Sequence, residues 1–294
     1  MKTKICDLLN TKYPILQGAM AWVGTAELAS AVSNAGGMGI ISPLTGRRLD
    51  KEIKLAKELT DKPFGVNITI MAPDSEEVVK EVVREGIGTV TTSVGSPKKF
   101  TKTLQNRGVK VIHSVAKVEH AKKANEAGVD AVIVQGVEAG GHPGPDEITT
   151  FTLVPQVVDA VDIPVIAAGG IGDARGVAAA LMLGAEGVQI GTRFIATKEC
   201  IAHEKFKRAI LNSEDTDTVL VGRDEIFPTR VLRNKFVESG KKIGLGMKRA
   251  KTALIEGDLE NGVMMCGQIA GMIKDIRSVE EVVKELARFE DLMR

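Results

Sequence analysis

Aromatic side chains are scarce: only 3% of the 294 residues are Phe, Tyr or Trp, with a single Trp and a single Tyr. Val, Ile, Leu, Ala and Met must therefore fill the core, and a hydrophobic fraction of 44% is enough to build one. Cysteine is also sparse. Cys6, Cys200 and Cys266 are odd in number and far apart, which fits neither a disulfide framework nor a zinc or redox spacing. Excess charge is lacking too. The formal net charge is +1, so nothing global points to nucleic acid or a membrane surface. No apolar run is long enough to span a bilayer. The stretch up to Lys12 carries charges throughout and has no signal-peptide apolar centre. These absences lead us to expect a cytoplasmic protein with no bound metal, no nucleic-acid partner and no membrane partner.

What the chain does have is alternation. Strands are expected at Pro14–Gln17, Met38–Ile41, Phe64–Ile70, Thr89–Thr92, Val109–His113, Ala131–Val134, Ile163–Ile166 and Gly187–Ile190, each followed by a helical pattern. Asp50 is expected to cap the helix that starts at Lys51. Regular strand–helix units give a parallel sheet with right-handed crossovers, and strands apolar on both faces suit burial on both sides. Eight units predict an α/β fold of the TIM-type (β/α)8 barrel over residues 1–202. An open doubly wound sheet would carry its glycine fingerprint near the first strand; here the glycine-rich turns come last. Residues 203–270 are expected to form a small helical cap over the barrel mouth, loop-rich at Gly240, Gly244 and Gly246. Within it, Arg223, Arg230, Arg233, Lys235, Lys241, Lys242, Lys248, Arg249 and Lys251 face only Asp224, Glu225 and Glu238. Residues 271–294 are expected to return to the barrel through a final helix, Val279–Leu292.

Two turns carry the chemistry. Ala167-Ala168-Gly169-Gly170-Ile171-Gly172-Asp173 follows the seventh strand, and Gly191-Thr192-Arg193 follows Val188-Gln189-Ile190. Small residues let a phosphate approach backbone N–H groups closely, and a following helix N-terminus adds partial positive charge. In a (β/α)8 barrel the last two strands are where such a grip forms. The other strand ends supply Gln17-Gly18-Ala19-Met20, Asn67, Ser93, His113 and Glu138-Ala139-Gly140-Gly141-His142. Neither paired acids nor a Ser-His-Asp set is legible, and a mouth with a phosphate grip, amides and one histidine suits a bound cofactor that does the difficult chemistry. His142 is the sharpest catalytic candidate, because glycines and Pro143 fix its backbone at a strand end and an imidazole exchanges a proton near neutral pH. His113 is a weaker candidate, because it also reads as a satisfied core residue deep in the barrel; His120 and His203 read as structural. Asn67 either hydrogen-bonds a polar ring edge or ties down a loop. Trp22 either walls an acyl pocket or packs in the core.

Taken together, Pro14-Ile15-Leu16-Gln17-Gly18-Ala19-Met20-Ala21-Trp22-Val23, the histidine loop, both phosphate turns and Gly267-Gln268-Ile269-Ala270-Gly271 resemble the FMN-dependent enoyl-acyl-carrier-protein reductases of the FabK type. The nitronate monooxygenases share that fold and most of these motifs. The resemblance implies FMN across the mouth, with its phosphate on Ala168, Gly169, Gly170, Gly191 and Thr192. It places Gln17, Gly18, Met20 and Asn67 along the ring, with Ser93, Gln135, Gly140, Gly141 and Gln189 nearby. It implies reduction of a trans-2-enoyl thioester by NADH or NADPH, with His142 acting on the thioester carbonyl. The substrate's carrier would be acyl carrier protein or coenzyme A, and a homodimer is compatible with the resemblance. The alternatives are oxidation of alkyl nitronates with O2 and a non-enzymatic flavin-binding barrel.

Overall fold

The structure is a computed structural model, described here for residues 2–243 and 246–293. Gly244, one of the glycines expected to loosen the cap, lies outside the described residues. Eight parallel strands alternate with helices: β1 (Ile15–Gln17), β2 (Gly39–Ile41), β3 (Phe64–Thr69), β4 (Thr89–Ser93), β5 (Lys110–Val115), β6 (Ala131–Gln135), β7 (Val165–Ala168) and β8 (Gly187–Ile190). Their order is β1-β8-β7-β6-β5-β4-β3-β2. The ring closes between β1 and β2 through a single parallel bridge, Leu16 to Met38. This is the TIM-type (β/α)8 barrel that the alternation predicted.

Alternating side chains divide the core into two shells. Leu16, Met38, Ile40, Ile112, Ile133 and Ile166 fill the barrel interior, and Ile5 and Leu9 of the helix Lys4–Leu9 pack against them. The opposite faces of the strands carry Val66, Ile68, Val90, Val111, Val132 and Val188 into the larger shell beneath the surrounding helices. His113 belongs to that outer face. It sits within β5, not at its end, is 5% exposed, and its Nδ1 lies 2.8 Å from the Thr92 hydroxyl. Burial pushes its pKa down to about 4. It is therefore a core residue and not a mouth residue.

Other local expectations need correction. Arg48, not Asp50, is the residue before the helix Leu49–Leu59; Asp50 lies in the first turn and pairs with Arg48 at 2.9 Å. Beyond the barrel the chain is not purely helical. The helices Glu204–Leu211, Lys235–Glu238 and Met247–Leu254 are accompanied by an antiparallel ribbon, β9 (Thr218–Val221) with β10 (Thr229–Leu232). The last helix is two: Val279–Leu286, opened by a Ser278–Glu281 capping box, and Phe289–Leu292. Among the described residues no helix is long and apolar enough to cross a membrane.

Candidate active site

One cavity of about 560 Å³ occupies the carboxyl end of the barrel. Strand alternation aims Asn67, Thr91, Ser114, Gln135 and Gln189 at its floor, above the apolar barrel interior. That floor is polar but uncharged. Asn67 is held by its neighbours: its Oδ1 accepts the Thr91 hydroxyl at 3.0 Å and its Nδ2 faces the Thr69 hydroxyl at 3.4 Å. Gly18, Met20, Asn67, Ser93, Gln135, Gly140, Gly141, His142, Ala168, Gly169, Gly170, Gln189, Gly191 and Thr192 all line this single cavity.

Gln17 does not. It is fully buried in the β1–β2 seam, where its Oε1 accepts the Ile40 N–H at 3.1 Å and its Nε2 donates to the Gly18 carbonyl. A side chain here supplies the rung that the short strands lack. Trp22 does not line the cavity either. Its indole N–H donates to the Met247 carbonyl at 2.7 Å, tying the first loop to the helix Met247–Leu254. That helix does reach the cavity, through Met247, Ala250 and Leu254.

At the phosphate turns, Gly169 and Gly170 have φ of +96° and +73°, a region glycine enters without penalty. Among the described residues, the N–H groups of Gly169, Gly170, Gly191 and Thr192 find no protein acceptor. The expected contribution from the next helix is absent. Asp173 already caps the helix Ala174–Met182, accepting from the Arg175 and Gly176 N–H groups at 2.9 and 3.3 Å. Any grip must therefore come from the turns themselves and from the start of the short helix Thr192–Ile195.

Glu138 and Gly267, named from sequence only as parts of their motifs, and Thr150, not named there, join the turns to the histidine loop. The Glu138 carboxylate accepts the Thr150 N–H and hydroxyl at 2.9 to 3.0 Å. The same hydroxyl lies 3.0 Å from the Gly169 carbonyl. The Gly267 N–H donates to the Thr192 hydroxyl at 2.9 Å, and the Gln268 N–H to the Glu138 carbonyl at 2.9 Å. The signal for Gly267 was in the sequence, within the late glycine motif; Thr150 carried none.

His142 stands at the mouth. Its Nδ1 lies 3.1 Å from the Thr229 hydroxyl, and its ring meets Phe227 edge-on at 5.9 Å. The Gln135 side chain donates to its carbonyl at 3.3 Å. The basic stretch is less available than its composition implied. Arg223 is paired with Glu147 and Lys235 with Glu260 at 2.8 Å. Arg249 stacks on Phe236 at 4.3 Å, and Arg230 is 6% exposed. Cys266 is fully buried, which pushes its thiol pKa upward and keeps it un-ionised.

Fold and cavity are those of the (β/α)8 barrels whose last two strands end in phosphate-type turns. A family model described as nitronate monooxygenase matches residues 2–97 and 77–288, and the chain belongs to that family. Its members are oxidoreductases and in general flavin enzymes. FabK from Thermotoga maritima is a structural relative at 42% identity and a TM-score of 0.94, covering 99% of this chain and 97% of that one. A Mycobacterium tuberculosis protein, named (3aS,4S,5R,7aS)-5-hydroxy-7a-methyl-1-oxo-octahydro-1H-indene-4-carboxyl-CoA dehydrogenase, is 35% identical over 97% of this chain and 95% of its own. A probable nitronate monooxygenase from Staphylococcus saprophyticus is 37% identical over 81% and 80%.

Proposed function

We propose that this protein binds FMN and reduces the 2,3 double bond of a trans-2-enoyl thioester, using NADH or NADPH. The observation that carries this reading is the cavity's division. Unpartnered N–H groups on two glycine turns lie at one side, a neutral amide and hydroxyl floor in the middle, and one histidine at the mouth. The residues present fit the cofactor. The turns would hold its phosphate through the N–H groups of Gly169, Gly170, Gly191 and Thr192, which among the described residues no protein acceptor satisfies. Asn67, Gln135 and Gln189 would meet the polar edge of its ring. Bound there, the flavin supplies the two-electron chemistry that these side chains lack.

The chain's own residues orient and exchange protons. Asn67 is fixed by two threonines, so its amide meets a ligand without reorganising. His142 is held at Nδ1 and acts on the thioester where charge develops at the carbonyl. Two relatives support a thioester substrate: FabK, through the family resemblance, and the mycobacterial protein, through its name. The carrier is acyl carrier protein or coenzyme A. The second reading, a nitronate monooxygenase, is favoured by the family model and the staphylococcal relative.

Anaerobic stopped-flow mixing tests the proposal. Rapid bleaching of the bound flavin by NADH or NADPH, followed by reoxidation with crotonyl thioester, is the expected result. Bleaching by propionate 3-nitronate with no response to either nicotinamide would overturn it.

A further inference from the structure

The ribbon that the sequence did not reveal touches the histidine loop at three points. The backbones of Gly141 and Arg230 form an isolated antiparallel bridge, with N–H donations of 3.1 Å in one direction and 2.7 Å in the other. The Arg230 guanidinium donates through Nε to the Val137 carbonyl at 2.6 Å and through Nη1 to the Thr218 hydroxyl at 3.2 Å. Thr229, 1% exposed, places its hydroxyl 3.1 Å from His142 Nδ1.

Arg230 is costly where it stands. It is buried, which disfavours its charge, and among the described residues Glu138 and Glu147 offset this only from beyond ion-pair distance. A guanidinium in that setting needs a purpose beyond filling space. Its two attachments lie at Val137 and Gly141, on either side of the turn that delivers His142. The Thr229 hydroxyl has a second contact, the Phe227 carbonyl at 3.2 Å. A carbonyl can only accept, and a hydroxyl proton directed there leaves the oxygen's lone pairs facing His142.

We propose that Thr229 and Arg230 are positioning residues for His142. Arg230 pins the loop, and Thr229 accepts the Nδ1 proton, which fixes the ring's tautomer with its basic nitrogen at Nε2. This rests on the reading that His142 acts on the substrate. It adds that the ribbon, not the barrel, sets the ring's tautomer and angle.

The test combines kinetics with a measurement that needs no turnover. Thr229→Val should lower kcat by about 10²-fold, the cost of misplacing a catalytic group by about an ångström, with flavin content unchanged and KM altered far less. Thr229→Ser should recover most of the loss. In a His142→Ala background, Thr229→Val should add little further loss, because the two act through one ring. In protein labelled with 15N-histidine, the His142 signal should report a protonated Nδ1 that is lost or averaged in Thr229→Val. An unprotonated Nδ1 in the wild type would overturn the proposal, as would multiplicative effects of Thr229→Val and His142→Ala. Full activity in His142→Ala would refute the catalytic reading of His142 instead, while the NMR signal would still judge the clamp.

Discussion

Replacing Gly140 by alanine adds one methyl group to a crowded backbone contact of the site. A Cβ built there lies 2.6 Å from both the Cys266 carbonyl carbon and the Gly267 nitrogen. Both are main-chain atoms, so no side chain can swing away. The histidine loop and the 266–268 segment must separate. Overpacking of this kind costs about 1 to 3 kcal/mol. Separation also threatens two bonds, Gly267 N–H to Thr192 and Gln268 N–H to the Glu138 carbonyl, both 2.9 Å. At about 0.5 to 1.5 kcal/mol each, they bring the total to about 2 to 6 kcal/mol. The damage falls at the end of the cavity proposed to hold the phosphate. FMN titration of the apoprotein should show affinity reduced by an order of magnitude or more, since about 1.4 kcal/mol is a factor of ten. Thermal unfolding should shift down by several degrees. Gly141→Ala is the control: its Cβ would meet nothing nearer than the Met265 sulfur at 4.0 Å, and only its φ of +80° opposes it. That costs about 1 to 2 kcal/mol. A Gly140→Ala protein that melts and binds FMN like the wild type would show that this backbone contact does not hold the cavity together. So would one less affected than Gly141→Ala.

Three other outcomes follow from the same geometry. His113 is held below its ordinary 6.5, at about 4, by burial; the unfolded chain therefore binds more protons between those values, and stability falls with acidification across that window. The loss is about 3 kcal/mol at about 1.4 kcal/mol per pH step. Urea unfolding of His113→Gln should lose most of that slope, and an unchanged slope would refute the assignment. His142→Ala should keep its flavin while enoyl reduction falls by about 10² to 10³-fold; single-turnover flavin reduction by NADH should stay near wild type. For the carrier, charge reversal should target exposed cations, Arg233 and Lys248, and spare buried Arg230. Their replacement by Glu should raise KM for a carrier-borne substrate at low salt and lose its effect at high salt. An unchanged KM at low salt would exclude this face.

Strand positions were legible because burial on both faces demands short apolar runs, and each run ends at a turn. The glycine turns were legible because Gly169 and Gly170 occupy backbone conformations that other residues avoid. The ribbon was not. Its strands are four residues each, and Thr218–Val221 gains its meaning only from pairing with Thr229–Leu232. The place of the Gln17 side chain was hidden for a similar reason: an amide at a strand end reads as a ligand contact, and only ring closure reveals the Ile40 N–H that it satisfies. Asp173 and Ser278 carried signals that could have been used. Each stands immediately before a helix as its cap, and Glu281 completes the box three residues after Ser278. The engagement of Arg230 and Arg249 depends on three-dimensional neighbours that charge counting ignores.

The barrel's seam has a mechanical consequence. β1 and β2 share one bridge plus the Gln17 side chain, whereas β1 and β8 are paired over three residues. A ring under thermal load yields at its weakest joint. The loops after β1 and β2, where Gly18–Met20 and Ser42–Leu44 form neighbouring walls of the mouth, carry that joint further: the Ser42 N–H donates to the Gly24 carbonyl at 2.8 Å and the Trp22 N–H to the Leu44 carbonyl. The joint between β7 and β8, which carries both glycine turns, lies on the far side of a fully paired strand. The seam is thus stitched by its loops where its strands are short, and widening the entrance there means breaking both of those bonds.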